Sequence, residues 1–350
     1  MDVTRRDVIE LGVAAVLVAV AAAGHFGGAT AVLAFALAAL AIAMLARIVG
    51  GATEQLGTRV GPSAAGVVQS ALGNLPELFI ALFALHNGLT EVVQSALVGS
   101  VIANSVLVLG IAFVAGGVRH GTQRFDSPRA RIIATLTMLA AAILSVPTLA
   151  HAFHAPAARH ERSLSFICAG VLLAIFLLTL PGFLRGGAEV ETETHVPRWS
   201  LGLTVGVLGA SGAGAAFVSD WFVSALRPAT ESLGMSEAFA GLVVVAIAGN
   251  AVENVVGVQL AAQNRPDFAI SVIVNSALQV ALLLTPVLVF ASMAFATTLT
   301  LVFPTLLAIV LLLAAGIGAL VVYDGESTWE EGAILVGLYV VIAASFWWGA

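Results

Sequence analysis

Apolar residues run in long blocks along this chain, and the polar ones gather in short clusters between them. The blocks lie near 8–24, 30–50, 62–86, 91–117, 130–150, 162–184, 200–225, 237–261, 267–292, 296–322 and 330–349. A membrane-spanning helix takes about 20 apolar residues, so the pattern predicts an all-α polytopic membrane protein with eleven transmembrane helices. The first block follows Arg5 and Arg6, as in a signal peptide. It lacks a clear small-residue cleavage site and another block follows at once, so residues 1–28 are expected to remain as an extra N-terminal helix.

Composition narrows this further. Of the 350 residues, 60% are hydrophobic and 10% charged, against roughly 25% charged in a soluble domain. That leaves no material for a soluble catalytic or nucleotide-binding domain. The net charge of −6 argues against a nucleic-acid partner, which calls for basic patches; the apolar composition points to the lipid bilayer as the surrounding medium. The lone cysteine, Cys168, excludes a disulfide framework within the chain.

All 14 basic residues are arginine. With the N-terminus in the cytoplasm, Arg5, Arg6, Arg47, Arg59, Arg119, Arg124, Arg129, Arg131, Arg185, Arg198 and Arg265 fall inside, and only Arg159, Arg162 and Arg227 outside. The positive-inside rule therefore expects a cytoplasmic N-terminus and an external C-terminus. The absence of lysine and the wealth of alanine point to a prokaryotic plasma membrane, with a vacuolar membrane as the alternative.

An internal repeat is the most informative feature. Residues 73–115 align with 249–291 at a constant offset of 176, which sets Gly73-Asn74-Leu75-Pro76-Glu77 against Gly249-Asn250-Ala251-Val252-Glu253. Glu91 then meets Asp267, and Ser100 meets Ser276. Upstream, Thr53-Glu54-Gln55-Leu56-Gly57 matches Thr230-Glu231-Ser232-Leu233-Gly234. The blocks carrying Glu77 and Glu253 are third and eighth in order, so they cross in opposite directions. The expected plan is an N-terminal helix plus two inverted-topology five-helix repeats, 29–184 and 200–350. Their α-repeats lie near 62–117 and 237–292, and an acidic cytoplasmic linker, 185–199, joins the halves. Inverted repeats around a midplane site are a common plan of secondary transporters.

An acidic residue at bilayer centre costs about 2.5–3.5 kcal/mol even on the lenient insertion scale, so Glu77 and Glu253 are expected to face a cavity and to act there. Asn74 and Asn250 share a helix face with them. Gly73 and Gly249 weaken the helix, allowing a break that frees backbone carbonyls. The following blocks add Ser100, Asn104, Ser276 and Gln279. Two carboxylates with amide, hydroxyl and carbonyl oxygens suit a hard cation; Ca²⁺ takes about six to eight such ligands. An empty, doubly ionised site is costly to move through lipid, whereas protons or one divalent cation neutralise it. Exchange coupling follows from that. Glu54, Glu231, Glu91 and Asp267, near block ends, are candidate portal groups.

The two Gly-Asn-x-x-Glu segments, with Ser100, Asn104, Ser276 and Gln279, resemble the two α-repeats of the calcium/cation antiporter superfamily. The nearest branch is the cation/proton exchanger family. The resemblance implies a Ca²⁺/H⁺ antiporter, not an enzyme, that expels cytoplasmic Ca²⁺ by alternating access with no cofactor beyond its transported ions. In it, Glu77 and Glu253 would be the alternately protonated, metal-binding pair. Pro76, and Asn254 in place of a frequent histidine, depart from the family's pattern. A Na⁺ or K⁺ exchanger of the same superfamily and an intramembrane hydrolase are the competing readings; homo-oligomerisation is left open.

Overall fold

The chain is described by a computed structural model covering residues 3–125, 128–186 and 198–349. Helix α1 (Arg5–Phe26) opens on a reciprocal cap: Asp7 N–H donates to Thr4 Oγ1 and Thr4 N–H to Asp7 Oδ2. This satisfies two otherwise orphaned donors. Gly27 and Gly28 then turn the chain into α2 (Ala31–Leu72), a helix of 42 residues. The apolar pattern ends one run at 50 and begins the next at 62; the helix is instead continuous across this stretch. Glycine in a helix interior costs only about 1 kcal/mol and keeps its N–H, so the glycines of this stretch weaken the helix without ending it. In the second half, α8 (Leu201–Leu233) does stop at the matching position, because Gly234 adopts φ +63°.

The remaining helices are α3 (Leu75–His86), α4 (Thr90–Ile102), α5 (Leu109–His120), α6 (Pro128–Ala152), α7 (Glu161–Gly186), α9 (Glu237–Phe239), α10 (Ala246–Gly249), α11 (Ala251–Ala262), α12 (Pro266–Gln279), α13 (Thr285–Ala291), α14 (Thr305–Tyr323) and α15 (Trp329–Phe346). Among the described residues, nine helical stretches are long and apolar enough to cross a membrane, or ten when the bent pair Glu237–Gly249 and Glu253–Ala262 counts as one. The 12-residue α3 is a shorter apolar helix.

The chain forms two compact units, each drawing on both halves of the sequence: residues 1–83 with 174–233, and 84–173 with 234–350. In the first, α2 and α8 pack antiparallel. Phe35 stacks on Phe222 with ring centroids 4.6 Å apart, and Leu45 lies against Gly214. One end of this unit is polar. Glu10 accepts from Arg6 and from Arg47, Gln55 Oε1 accepts the Arg198 N–H, and the Arg59 guanidinium donates to the Trp199 carbonyl. The other end is aromatic, with His25 stacked on Trp221.

In the second unit the loops also sort to two ends. At one, β1 (Gln123–Arg124) pairs antiparallel with β2 (Glu326–Ser327), and the buried Gln123 donates to the Ala261 carbonyl and to Asn264. At the other, Ser236 bonds to the Phe346 and Trp347 carbonyls, and the His86 and Phe295 rings meet. Alternate loops at opposite ends are what successive crossings produce. Here also lies a correction to the sequence pattern, which begins a helix near 296. Residues 295–304 are not helical, and α14 starts at Thr305 after Pro304. Proline lacks the N–H that would continue a helix through it. Irregular backbone within a membrane must be satisfied by protein groups. Gln94 donates to the Thr300 and Val302 carbonyls, Thr148 bonds Leu301 and Phe303, and Ser165 accepts from Leu301 N–H.

Candidate functional site

The offset of 176 seen in the sequence recurs in the helices. It carries the bounds of α3 onto those of α11, both 12 residues long, and the start of α4 onto that of α12. A break precedes each short helix. Gly73 and Asn74 form a turn before α3, and Asn250, with φ −90° and ψ 18°, separates α10 from α11. The two asparagines act alike in backbone: the Asn74 carbonyl accepts from Leu78 N–H and the Asn250 carbonyl from Asn254 N–H, each at 3.0 Å. Asparagine tolerates this sparsely populated region of backbone space, and Pro76 stands in the first turn, where a helix accepts proline. The second break bends the helix by 65°.

Each glutamate occupies the first turn of its short helix. There the unsatisfied N–H groups and the helix dipole favour negative charge. Glu77 and Asn74 are buried, in the first compact unit. Glu253 is half-buried, in the second.

Around Glu253's helix the second unit gathers four of the expected polar residues. Asn250 Nδ2 donates to Ser100 Oγ (3.0 Å), and Asn250 Oδ1 accepts from Ser276 Oγ (2.9 Å). Asn104 Nδ2 approaches Ser276 Oγ at 3.2 Å and Asn250 Oδ1 at 3.4 Å. All four are buried. Gln279, the last residue of α12, is half-buried. Among the described residues no three His, Cys, Asp or Glu side chains cluster tightly enough to hold a metal ion.

The candidate portal residues are spread out. Glu54 and Glu231 are exposed on α2 and α8, Glu91 is exposed in the first turn of α4, and Asp267 is half-buried in that of α12. Glu189, Glu191 and Glu193 of the acidic linker lie outside the described residues. Sequence reasoning missed the π-helical segments Ala103–Val108 and Val280–Leu284, which are repeat-related and follow α4 and α12. Such segments are frequent at functional sites, and one carries Asn104. Nothing in their apolar composition marks the wider turn.

Comparison with known proteins agrees with this architecture. The sodium/calcium exchanger protein family matches residues 30–185 and 203–348. The Ca(2+)/H(+) antiporter of Synechocystis is 34% identical over 346 residues, covering 93% of each chain. The Ca(2+)/H(+) antiporter ChaA of Bacillus subtilis is 35% identical, covering 89% of this chain and 91% of its own. Among solved structures, native YfkE superposes with a TM-score of 0.83 at 30% identity, over 97% of this chain and 99% of its own. The H+/Ca2+ exchanger CAX has the same fold, with a TM-score of 0.77 at 16% identity over 97% of this chain and 88% of its own. The chain belongs to the sodium/calcium exchanger family, within its cation/proton exchanger branch. It is accordingly a multi-pass membrane antiporter, a secondary transporter rather than an enzyme.

Proposed function

We propose that this protein exchanges cytoplasmic Ca²⁺ for H⁺ by alternating access, with Glu77 and Glu253 as the pair that carries either protons or the metal. Asn74, Asn250, Ser100, Asn104, Ser276 and Gln279 form the polar surroundings of the pair, and Gly73 and Gly249 permit the helix breaks. One observation carries the reading: a helix break followed three residues later by a first-turn glutamate occurs twice, at repeat-related positions. Relatives named as Ca(2+)/H(+) antiporters support the choice of ions, and the bacterial ones support a plasma-membrane location. The arginine distribution supports a cytoplasmic N-terminus and an external C-terminus. Glu54, Glu231, Glu91 and Asp267 are proposed as portal groups where ions enter and leave.

The coupling is electrostatic. With both carboxylates ionised and the cavity empty, the site is too costly to reorient in a low-dielectric surround. Two protons neutralise it, and so does one Ca²⁺. The two loads compete because a metal needs deprotonated ligands. The Ca²⁺ KM should therefore rise as pH falls on the loading face, and fall as pH rises. Proteoliposomes with an imposed pH gradient test this by Ca²⁺ uptake at several external pH values. A Ca²⁺ KM independent of pH, with uptake driven by Na⁺ alone, would contradict proton exchange and favour a Na⁺-coupled exchanger.

A further inference from the structure

The two buried asparagines of the second unit are used differently. Asn250 Nδ2 donates to the Ala246 carbonyl one turn back and to Ser100 Oγ on α4, both at 3.0 Å. Its Oδ1 accepts from Ser276 on α12 and from Asn104 in the first π-helical segment. A primary amide offers two N–H donors and two acceptor positions; all four are engaged, the second acceptor position by an Asn104 N–H that it shares with Ser276 Oγ. Its orientation is fixed, since exchanging nitrogen and oxygen would set an oxygen against the Ala246 carbonyl. Asn104 is oriented the same way by the Ser100 carbonyl at 3.0 Å. Its Oδ1, however, is fully buried and has no hydrogen-bond partner among the described residues.

Asn250 also stands at the 65° bend, three residues before Glu253. Its amide ties that bend to α4, to the π-helical segment and to α12 at once. A cation that took Asn250 Oδ1 as a ligand would first have to displace Ser276 and Asn104 from it. We infer that Asn250 is a positioning residue and not a cation ligand: its saturated amide pins the helix break and so sets where Glu253 is presented. This rests on the reading of Glu253 as a cation-carrying group. Buried polar groups left unpaired are costly, which is why loosening this amide would be felt at Glu253.

Proton-driven Ca²⁺ uptake by purified protein in liposomes tests the inference. Asn250→Ala should raise the Ca²⁺ KM roughly tenfold, the equivalent of losing about one net hydrogen bond. The isosteric Asn250→Asp gives an opposite-sign test that does not need the alanine variant to fold. It loses both donated bonds and turns an oxygen on Ala246, so the pin predicts a higher Ca²⁺ KM. A ligand would gain a third carboxylate on the metal, and a lowered KM would overturn the inference. Wild-type protein that carries no Ca²⁺ against a pH gradient would instead remove the exchange reading, and this inference with it.

Discussion

Replacing Glu77 by Gln, or Glu253 by Gln, is expected to abolish Ca²⁺/H⁺ exchange while leaving the protein inserted in the membrane. Glutamine keeps the shape of the side chain and removes its charge. A divalent ion would then meet one carboxylate in place of two, and the remaining charge would be uncompensated in a poorly solvated site. Breaking a buried ion pair in this way costs about 3–5 kcal/mol, so uptake at a fixed Ca²⁺ concentration should fall on the order of 100-fold or more. Either change also removes one of the two groups that carry protons. Loss from both variants is expected because the proposal gives the repeats equal parts. Uptake normalised to the protein recovered in the membrane is the measurement, and near-normal exchange from either variant would count against the pair.

The second large effect is on assembly. Gly99 of α4 and Gly241, in the π-helical segment Ala240–Val245, let two backbones touch. A Cβ at Gly99 would lie 2.5 Å from the Leu242 carbonyl oxygen, and one at Gly241 would lie 2.5 Å from that of Val92. Both obstacles are backbone atoms, which no rotamer change moves aside. Small residues at helix contacts of this kind are how membrane helices approach closely. Gly99→Ala and Gly241→Ala should each cost about 3 kcal/mol, the upper part of the usual range for overpacking. The contact lies one position before Ser100 and joins the segment leading to Asn250, so the same changes should loosen the amide cluster. Thermal unfolding in detergent, followed by size exclusion, gives the readout. Gly209→Ala on α8 is the control: nothing lies within 4 Å of the added carbon, and alanine favours a helix by about 1 kcal/mol. Stability should hold or rise there.

Much of this was legible in the sequence, for physical reasons that also show where legibility ends. The apolar blocks located the helices because burial in lipid demands continuous hydrophobic runs. Gly-Asn-x-x-Glu, repeated at one offset, located both helix breaks because glycine is a poor helix former and asparagine favours turns. Apolar continuity does not encode interruptions satisfied from a distance. Residues 296–304 read as helix, yet backbone groups of Thr300, Leu301, Val302 and Phe303 are met by Gln94, Thr148 and Ser165, each over 130 positions away in sequence. Gly57 and Gly234 stand in matching segments, yet α2 runs through the first while the second ends α8 with a positive φ. A glycine permits a turn without compelling one. The quartet Ser100, Asn104, Asn250 and Ser276 could be named from chemistry, but its bonding could not. Only the packing of α4, α11 and α12 shows that one asparagine is saturated and the other has an open oxygen.

The most direct test of the exchange site is crystallographic. Crystals soaked in Ca²⁺ at high pH and measured near an absorption edge that gives calcium anomalous signal would locate the ion without reference to the protein. The proposal predicts one peak with carboxylate oxygens of both Glu77 and Glu253 at about 2.3–2.6 Å. A peak coordinated by only one of them, or lying elsewhere while the two glutamates point into separate surroundings, would contradict it.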